Sequence, residues 1–148
     1  MGRVEVIHIA DRAGRDAAFA IREAVFVDEQ GVDLPLEFDG LDDQAEHLLA
    51  TLDGAPVGTL RLRALDHGSA KIERVAVLKD ARGQSVGAAL LEAALQRLRN
   101  HGIAEARLHA QTHALDFYAR LGFVAHGGIF DEDGIPHKAM TLDLTADR

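Results

Sequence analysis

The chain has 148 residues, 47% hydrophobic and 27% charged, with 14 glycines and no cysteine. That composition excludes intrinsic disorder and collagen-like sequence, and without a thiol there is no disulfide, thiolate nucleophile or zinc ribbon. Twenty-four acidic against 16 basic side chains leave a net charge of −8, a poor match for nucleic acid or an anionic membrane surface.

The N-terminus, Met1 to Val6, has one basic residue and no apolar core of a signal peptide. Ile7 stands about where a myristoylation motif wants Ser or Thr. No apolar run approaches the ~20 residues of a membrane span. The expectation is a soluble, cytoplasmic protein with one domain over residues 1–148.

Val4, Val6 and Ile9 read as a short strand, and Asp11 as the N-cap of a helix over Arg12–Val27, where Ala17, Ala20, Ile21, Ala24 and Val25 recur at helical spacing. Asp28 to Asp43 is acidic and interrupted by Gly31, Pro35 and Gly40, so it reads as a loop or broken helix. Its run Glu37 to Asp43 is most simply solvated, with a cation-attracting rim of a cleft as the functional alternative.

Two alternating runs, Glu46–Leu52 and Pro56–Arg63, flank Asp53-Gly54, a strong hairpin signal. A third strand covers about Ala70–Val77. The period then changes: Val86, Leu90, Leu91, Ala94, Leu95 and Leu98 form a helical stripe that stops at Asn100-His101-Gly102. Ala104–Ala110 reads as a strand, His113–Leu121 as a short helix and Phe123–Phe130 as a strand. Asp131 to Gly134 is an acidic turn, and Ile135–Leu144 a last strand. The fold class is α/β (α+β), a mixed sheet of about seven strands flanked by helices, antiparallel in its first half and with one βαβ unit.

The chemistry concentrates in Ile72 to Leu91, where a strand enters a Gly-containing turn that opens directly into the amphipathic helix. The first amides of a helix lack intrahelical partners and sit at the positive end of its dipole, so the spot favours an anion. Gly83 and Gly87 permit close approach, and Lys79 and Arg82 add charge. The alternative is an ordinary connection with Ser85 as N-cap. The turn is neither a Walker loop nor a dinucleotide fingerprint.

Arg82-Gly83-Gln84-Ser85-Val86-Gly87 resembles the pyrophosphate loop of the GNAT N-acetyltransferases, Arg/Gln-x-x-Gly-x-Gly/Ala. Ala114 to Phe123 resembles that superfamily's Ala-x-x-x-Tyr-x-x-x-Gly-Phe segment. Arg22 to Gln30 and Glu132 to Met140 narrow the resemblance to the ElaA-like branch, similar also to glyphosate N-acetyltransferase. The four stretches run in order over residues 20–143, with one departure: Ser85 stands where the loop has Gly.

The resemblance implies acetyl-CoA as co-substrate. Backbone groups of Val75, Ala76 and Val77 would pair with its pantetheine arm as an added strand, and the amides of Arg82, Gly83, Gln84, Ser85, Val86 and Gly87 would hold its pyrophosphate. The amide of Val77 or Leu78 would face the thioester carbonyl. Tyr118, the single tyrosine, takes the place of the general acid to the leaving thiolate. For the base that deprotonates the incoming ammonium there are two candidates: Glu73, on an apolar strand, and His137, which matches the histidine of glyphosate-acetylating relatives. His137 is favoured, because a neutral imidazole accepts protons near neutral pH. The bland alternatives are packing for Tyr118, an ion pair with Arg74 or Lys71 for Glu73, and a solvated strand position for His137.

Arg22 and Arg74 would project towards the acceptor and hint at an amine bearing an acidic group; the plain alternative pairs them with Glu23, Asp28 or Glu29. Gln111 stands where the glyphosate-acetylating relatives have an arginine, which puts that substrate in doubt. His109 and His113 do not share a helical face, so no metal is expected. The implied activity is direct acetyl transfer to a primary amine of a small molecule in a ternary complex, by an enzyme in a family where dimers are common, with no nucleic-acid or membrane partner. The alternatives are a non-catalytic acyl-CoA sensor and a nucleotide-binding domain.

Overall fold

The computed structural model describes residues 2–145. Strands β1 (Val4–His8), β2 (Glu46–Leu52), β3 (Ala55–Ala64), β4 (Ser69–Val77), β5 (Glu105–Gln111), β6 (Val124–Glu132) and β7 (Ile135–Asp143) form one sheet in the order β1-β2-β3-β4-β5-β7-β6. β4 and β5 run parallel, and every other neighbouring pair is antiparallel. This is the mixed seven-stranded sheet expected.

Helices α1 (Arg12–Arg22), α2 (Leu34–Glu37), α3 (Val86–Asn100) and α4 (Leu115–Arg120) surround it. α3 lies against β1 to β4, and α1 against β2, β3 and β4. Strand alternation assigns the faces: Leu48, Ala50, Leu60 and Ile72 join the core under α3, while Leu49 and Ala76 join Ala18 and Ile21 under α1. The expected stripe of α3 from Val86 to Leu98 is buried along its length. A Cβ on Gly58 would stand 3.0 Å from both Val86 and Leu90, so glycine there lets α3 sit close on β3.

Local chemistry explains the element ends. Asp11 Oδ1 accepts from the Gly14 amide at 2.8 Å, capping α1 as expected. Asp53 and Gly54 both adopt positive φ, 51° and 86°, which a two-residue hairpin turn between right-twisted strands requires. The first helix departs from the expectation. α-Helical geometry stops at Arg22, and Glu23–Glu29 continues as a π-helix, with the Gln30 amide bonded to Val25 O at 3.1 Å. That wider turn, common at functional sites, carries Glu29 and Gln30 into the cleft described below.

Candidate active site

β4 and β5 pair only across Ser69–Lys71 and Glu105–Arg107. Beyond Lys71 the two strands part, and the gap opens into a cavity of about 310 Å³ lined by β4, the π-helical turn, the end of β5, Tyr118 and the β6–β7 turn. A bulge steers the parting: Arg74 has φ +57°, and two residues of β4 oppose one of β3 between the pairs Arg61–Glu73 and Thr59–Ala76. Bulges of this kind re-aim a strand beside a site. Ala76 is in register with Thr59 and the Leu78 amide donates to Val57 O at 2.8 Å, so both face β3. Alternation turns the backbone groups of Val75 and Val77 into the gap. Ala76 and Leu78 are therefore corrected: neither presents its amide to the cleft.

The turn before α3 forms a run of free donors. The first α3 bond is the Ala89 amide to Ser85 O at 3.0 Å. Among the described residues, the amides of Gly83, Gln84, Ser85, Val86, Gly87 and Ala88 have no acceptor. Gly83 (φ +80°) and Ser85 (φ +64°) are left-handed, the alternation that makes a concave anion nest. Two details correct the sequence reading. Ser85 holds the N-cap position but its side chain caps nothing. The Arg82 amide already donates to Lys79 O at 3.3 Å, and its guanidinium is held by both Glu29 oxygens at 2.7 and 2.8 Å and by Val77 O at 3.0 Å. Arg82 thus ties the turn to the cleft wall, and the free amides begin at Gly83. A Cβ on Gly87 would meet Phe117 Cζ at 3.3 Å, so glycine keeps this helix start tight against α4.

The acidic stretch after the π-helix is not a solvated loop. Arg22 is 1% exposed; its Nε and Nη1 each stand 2.7 Å from a carboxylate, of Glu37 and Asp42 respectively. Arg61, equally buried on the same sheet face, takes Asp39, Asp42 and Glu73. Arg74 reaches Glu37 at 3.2 Å and Asp39 at 3.3 Å. Arg22 therefore does not project towards an acceptor, and neither arginine uses the partners expected from nearby sequence. Burial explains the arrangement: charges removed from water persist only when paired and hydrogen-bonded. Arg74 still lines the cavity, with its charge matched.

Glu73 takes the ion-pair alternative, with Lys71 at 3.4 Å among its partners, rather than the setting of a base. Arg61, Arg63 and Lys71 surround its carboxylate. Although burial pushes its pKa up, these cations together hold it down at about 2, so it is a poor proton acceptor.

His137 has the geometry that Glu73 lacks. Cross-strand pairing sets Gln111, His137 and Phe130 side by side on β5, β7 and β6, and the His137 and Phe130 rings stack at 25°. The His137 side chain is 9% exposed and lines the cavity. Its Nδ1 donates to Ile135 O at 2.7 Å. A carbonyl only accepts, so the proton of the neutral ring sits on Nδ1 and the lone pair on Nε2.

Tyr118 enters the same cavity from α4, 8% exposed, its ring packed edge-on against Phe117 and Phe123. Among the described residues its hydroxyl has no hydrogen-bond partner. Burial pushes the phenol well above its ordinary value, so it stays protonated.

Gln111, the acceptor-side candidate, lines the cavity, together with Gln30, Glu132 and Asp133, to which the sequence reading gave no role there. Gln30 and Gln111 exchange reciprocal amide bonds of 2.9 and 3.2 Å across the cleft, and His113 Nε2 lies 2.7 Å from Gln111 Oε1. Glu132 reaches His109 Nδ1 at 2.8 Å and stands 3.6 Å from His137 Nε2. One signal was available: Asp133-Gly134, with φ of 55° and 81°, is a second two-residue hairpin turn. It sets Phe130 opposite His137 and Glu132 beside them. Among the described residues no three His, Asp or Glu side chains converge as metal ligands, and no helix is long and apolar enough to cross a membrane.

Known proteins are similar to this chain in sequence and fold. Residues 21–144 match the family described as Acetyltransferase (GNAT) domain. YjcF of Bacillus subtilis (strain 168), an uncharacterized N-acetyltransferase, is 39% identical over 127 residues, covering 85% of this chain and 90% of YjcF. An acyl-CoA N-acyltransferase from Pseudomonas aeruginosa superposes with a TM-score of 0.82 at 34% identity, covering 96% of this chain and 99% of its own. Escherichia coli ElaA superposes at 0.83 with 29% identity, covering 97% and 100%. Acyl transfer is the chemistry of this group, and acyl-CoA with an acceptor are its substrates. The chain belongs to the GNAT acetyltransferase family.

Proposed function

We propose that the protein transfers the acetyl group of acetyl-CoA to a primary amine of a small molecule, by direct attack within a ternary complex. The observation that carries this reading is the parting of β4 from β5 beside a run of unpaired amides from Gly83 to Ala88. The amides fit a diphosphate, and the edge of β4 at Val75 and at the amide of Val77, whose carbonyl is taken by Arg82, fits the amide-bearing arm that follows it. Tyr118 and His137, both nearly buried and lining the same cavity, support the reading with a phenol that has no partner among the described residues and an imidazole whose Nε2 has Glu132 at 3.6 Å.

In the reaction, Nε2 of His137 takes a proton from the acceptor ammonium, directly or through a water. The free amine attacks the thioester carbonyl, and the Val77 amide donates to the developing oxyanion. As the tetrahedral adduct collapses, the C–N bond is kept and the C–S bond breaks. Tyr118 donates its proton to the departing sulfur and its phenolate recovers one from the positively charged nitrogen of the adduct, while His137 releases its proton to solvent; the products are the N-acetylated amine, CoA and one proton. No acyl-enzyme forms, so rate comes chiefly from holding two substrates in reach.

The test is thermal unfolding with and without acetyl-CoA, followed by free-thiol release across an amine panel. Acetyl-CoA is expected to raise Tm and at least one amine to release thiol. Protection without release from any amine would leave an acyl-CoA-binding module in place of an enzyme.

A further inference from the structure

Resting on that reading, the charge balance of the cleft names the acceptor class. Three cationic side chains line the cavity, and each is already matched. Arg82 is bound by Glu29 at 2.7 Å, Arg74 by Glu37 at 3.2 Å, and Lys71 by Glu73 at 3.4 Å. Gln111 is neutral and bonded to Gln30. An acidic group on the acceptor would therefore find no free guanidinium or ammonium there, and would have to break an existing pair to gain one.

The carboxylates do not balance in the same way. Two further ones line the cavity, Glu132 and Asp133, and among the described residues neither is paired with a lysine or arginine. Both sit on the β6–β7 turn beside His137. Glu132 meets only histidines, His109 at 2.8 Å and His137 at 3.6 Å, which carry charge only when protonated. His137 marks the same place: its side chain is 9% exposed and lines the cavity, its Nδ1 is bonded to Ile135 O, and its Nε2 has Glu132 at 3.6 Å.

We propose that the acceptor is an amine carrying a second positive charge and no acidic group, of the diamine class. Its reacting nitrogen is presented to His137 while its distal ammonium is held by Glu132 and Asp133. The net charge of −8 assists by drawing cations to the protein.

Three acceptors of equal length test this with acetyl-CoA and thiol release: putrescine, butylamine and γ-aminobutyrate, whose far ends are cationic, neutral and anionic. The expected order of kcat/KM is putrescine, then butylamine, then γ-aminobutyrate, with the first step about fivefold or more, the size of a modest charge pair. Raising salt compresses that step. Asp133→Asn and Glu132→Gln each lower the putrescine-to-butylamine ratio. Glu132→Gln alone also bears on His137, so the exposed Asp133 variant is the cleaner readout.

Equal rates for putrescine and butylamine, or preference for γ-aminobutyrate, would overturn the charge assignment while leaving amine acetylation intact. Thiol release from none of the three, with acetyl-CoA still protecting against unfolding, would overturn the diamine class and count against the proposed activity.

Discussion

Replacing Arg22 by alanine distinguishes a structural guanidinium from one that clamps a substrate. In the native fold Nε and Nη1 each lie 2.7 Å from a carboxylate, and the guanidinium carbon sits 5.2 and 4.9 Å from the ring centroids of Phe19 and Phe38. Removing one partner of a buried ion pair costs roughly 3–5 kcal/mol, because the remaining charge is stranded. Here Glu37 keeps Arg74 and Asp42 keeps Arg61, which argues for the low end. Lost contact with the two rings adds ~1 kcal/mol, for a total near ~4 kcal/mol. At about 2–4 °C per kcal/mol for a chain of this size, Tm falls by roughly 10 °C in a circular-dichroism melt.

The paired change Arg22→Met with Glu37→Leu removes both buried charges, leaving Arg74 with Asp39 and Asp42 with Arg61, and is expected to recover at least half of that loss. Well below Tm, kcat/KM stays within about threefold of the parent. A Tm unchanged within about 1 °C, together with a large rise in acceptor KM, would refute the structural assignment and restore Arg22 as a substrate ligand.

Tyr118→Phe keeps the packing against Phe117 and Phe123 but removes the proton, so turnover falls about 100-fold while acetyl-CoA affinity, read by calorimetry, holds. His137→Gln lowers kcat/KM by about 100-fold, whereas Glu73→Gln has a small effect on rate and a clear one on Tm; the opposite ranking would exchange the two roles. Ser85→Gly relieves a left-handed backbone that glycine adopts freely and raises stability by about 1 kcal/mol in urea unfolding. Acid titration follows from Glu73. Its folded pKa of about 2 lies below its ordinary 4.5, so its stabilising contribution is complete above pH 4.5 and is lost as pH falls towards 2. Asp39 and Asp42, lowered by Arg61 and Arg22, act in the same direction. A melt insensitive to pH across that window would contradict the network.

Residue order alone determined the strands, the stripe of α3, the Asp11 cap and both Asp-Gly turns, because these depend on period and on the few residues that tolerate a given backbone angle. It also held the motif order that places the chain among the acetyltransferases. Tertiary structure decided what each charged group does. Arg22, Arg61, Glu37, Asp42 and Glu73 come from distant stretches and meet only when α1 and the following acidic segment close over one sheet face. In the sequence Arg22 reads as an acceptor ligand, Glu73 as a candidate base and the Glu37 to Asp43 run as solvated. Burial then makes pairing obligatory, so the arginines that seemed available for a substrate are neutralised, and the uncompensated charge falls to Glu132 and Asp133. Which backbone amides remain free is settled in the same way, by whether β3 or a neighbouring carbonyl has already taken them.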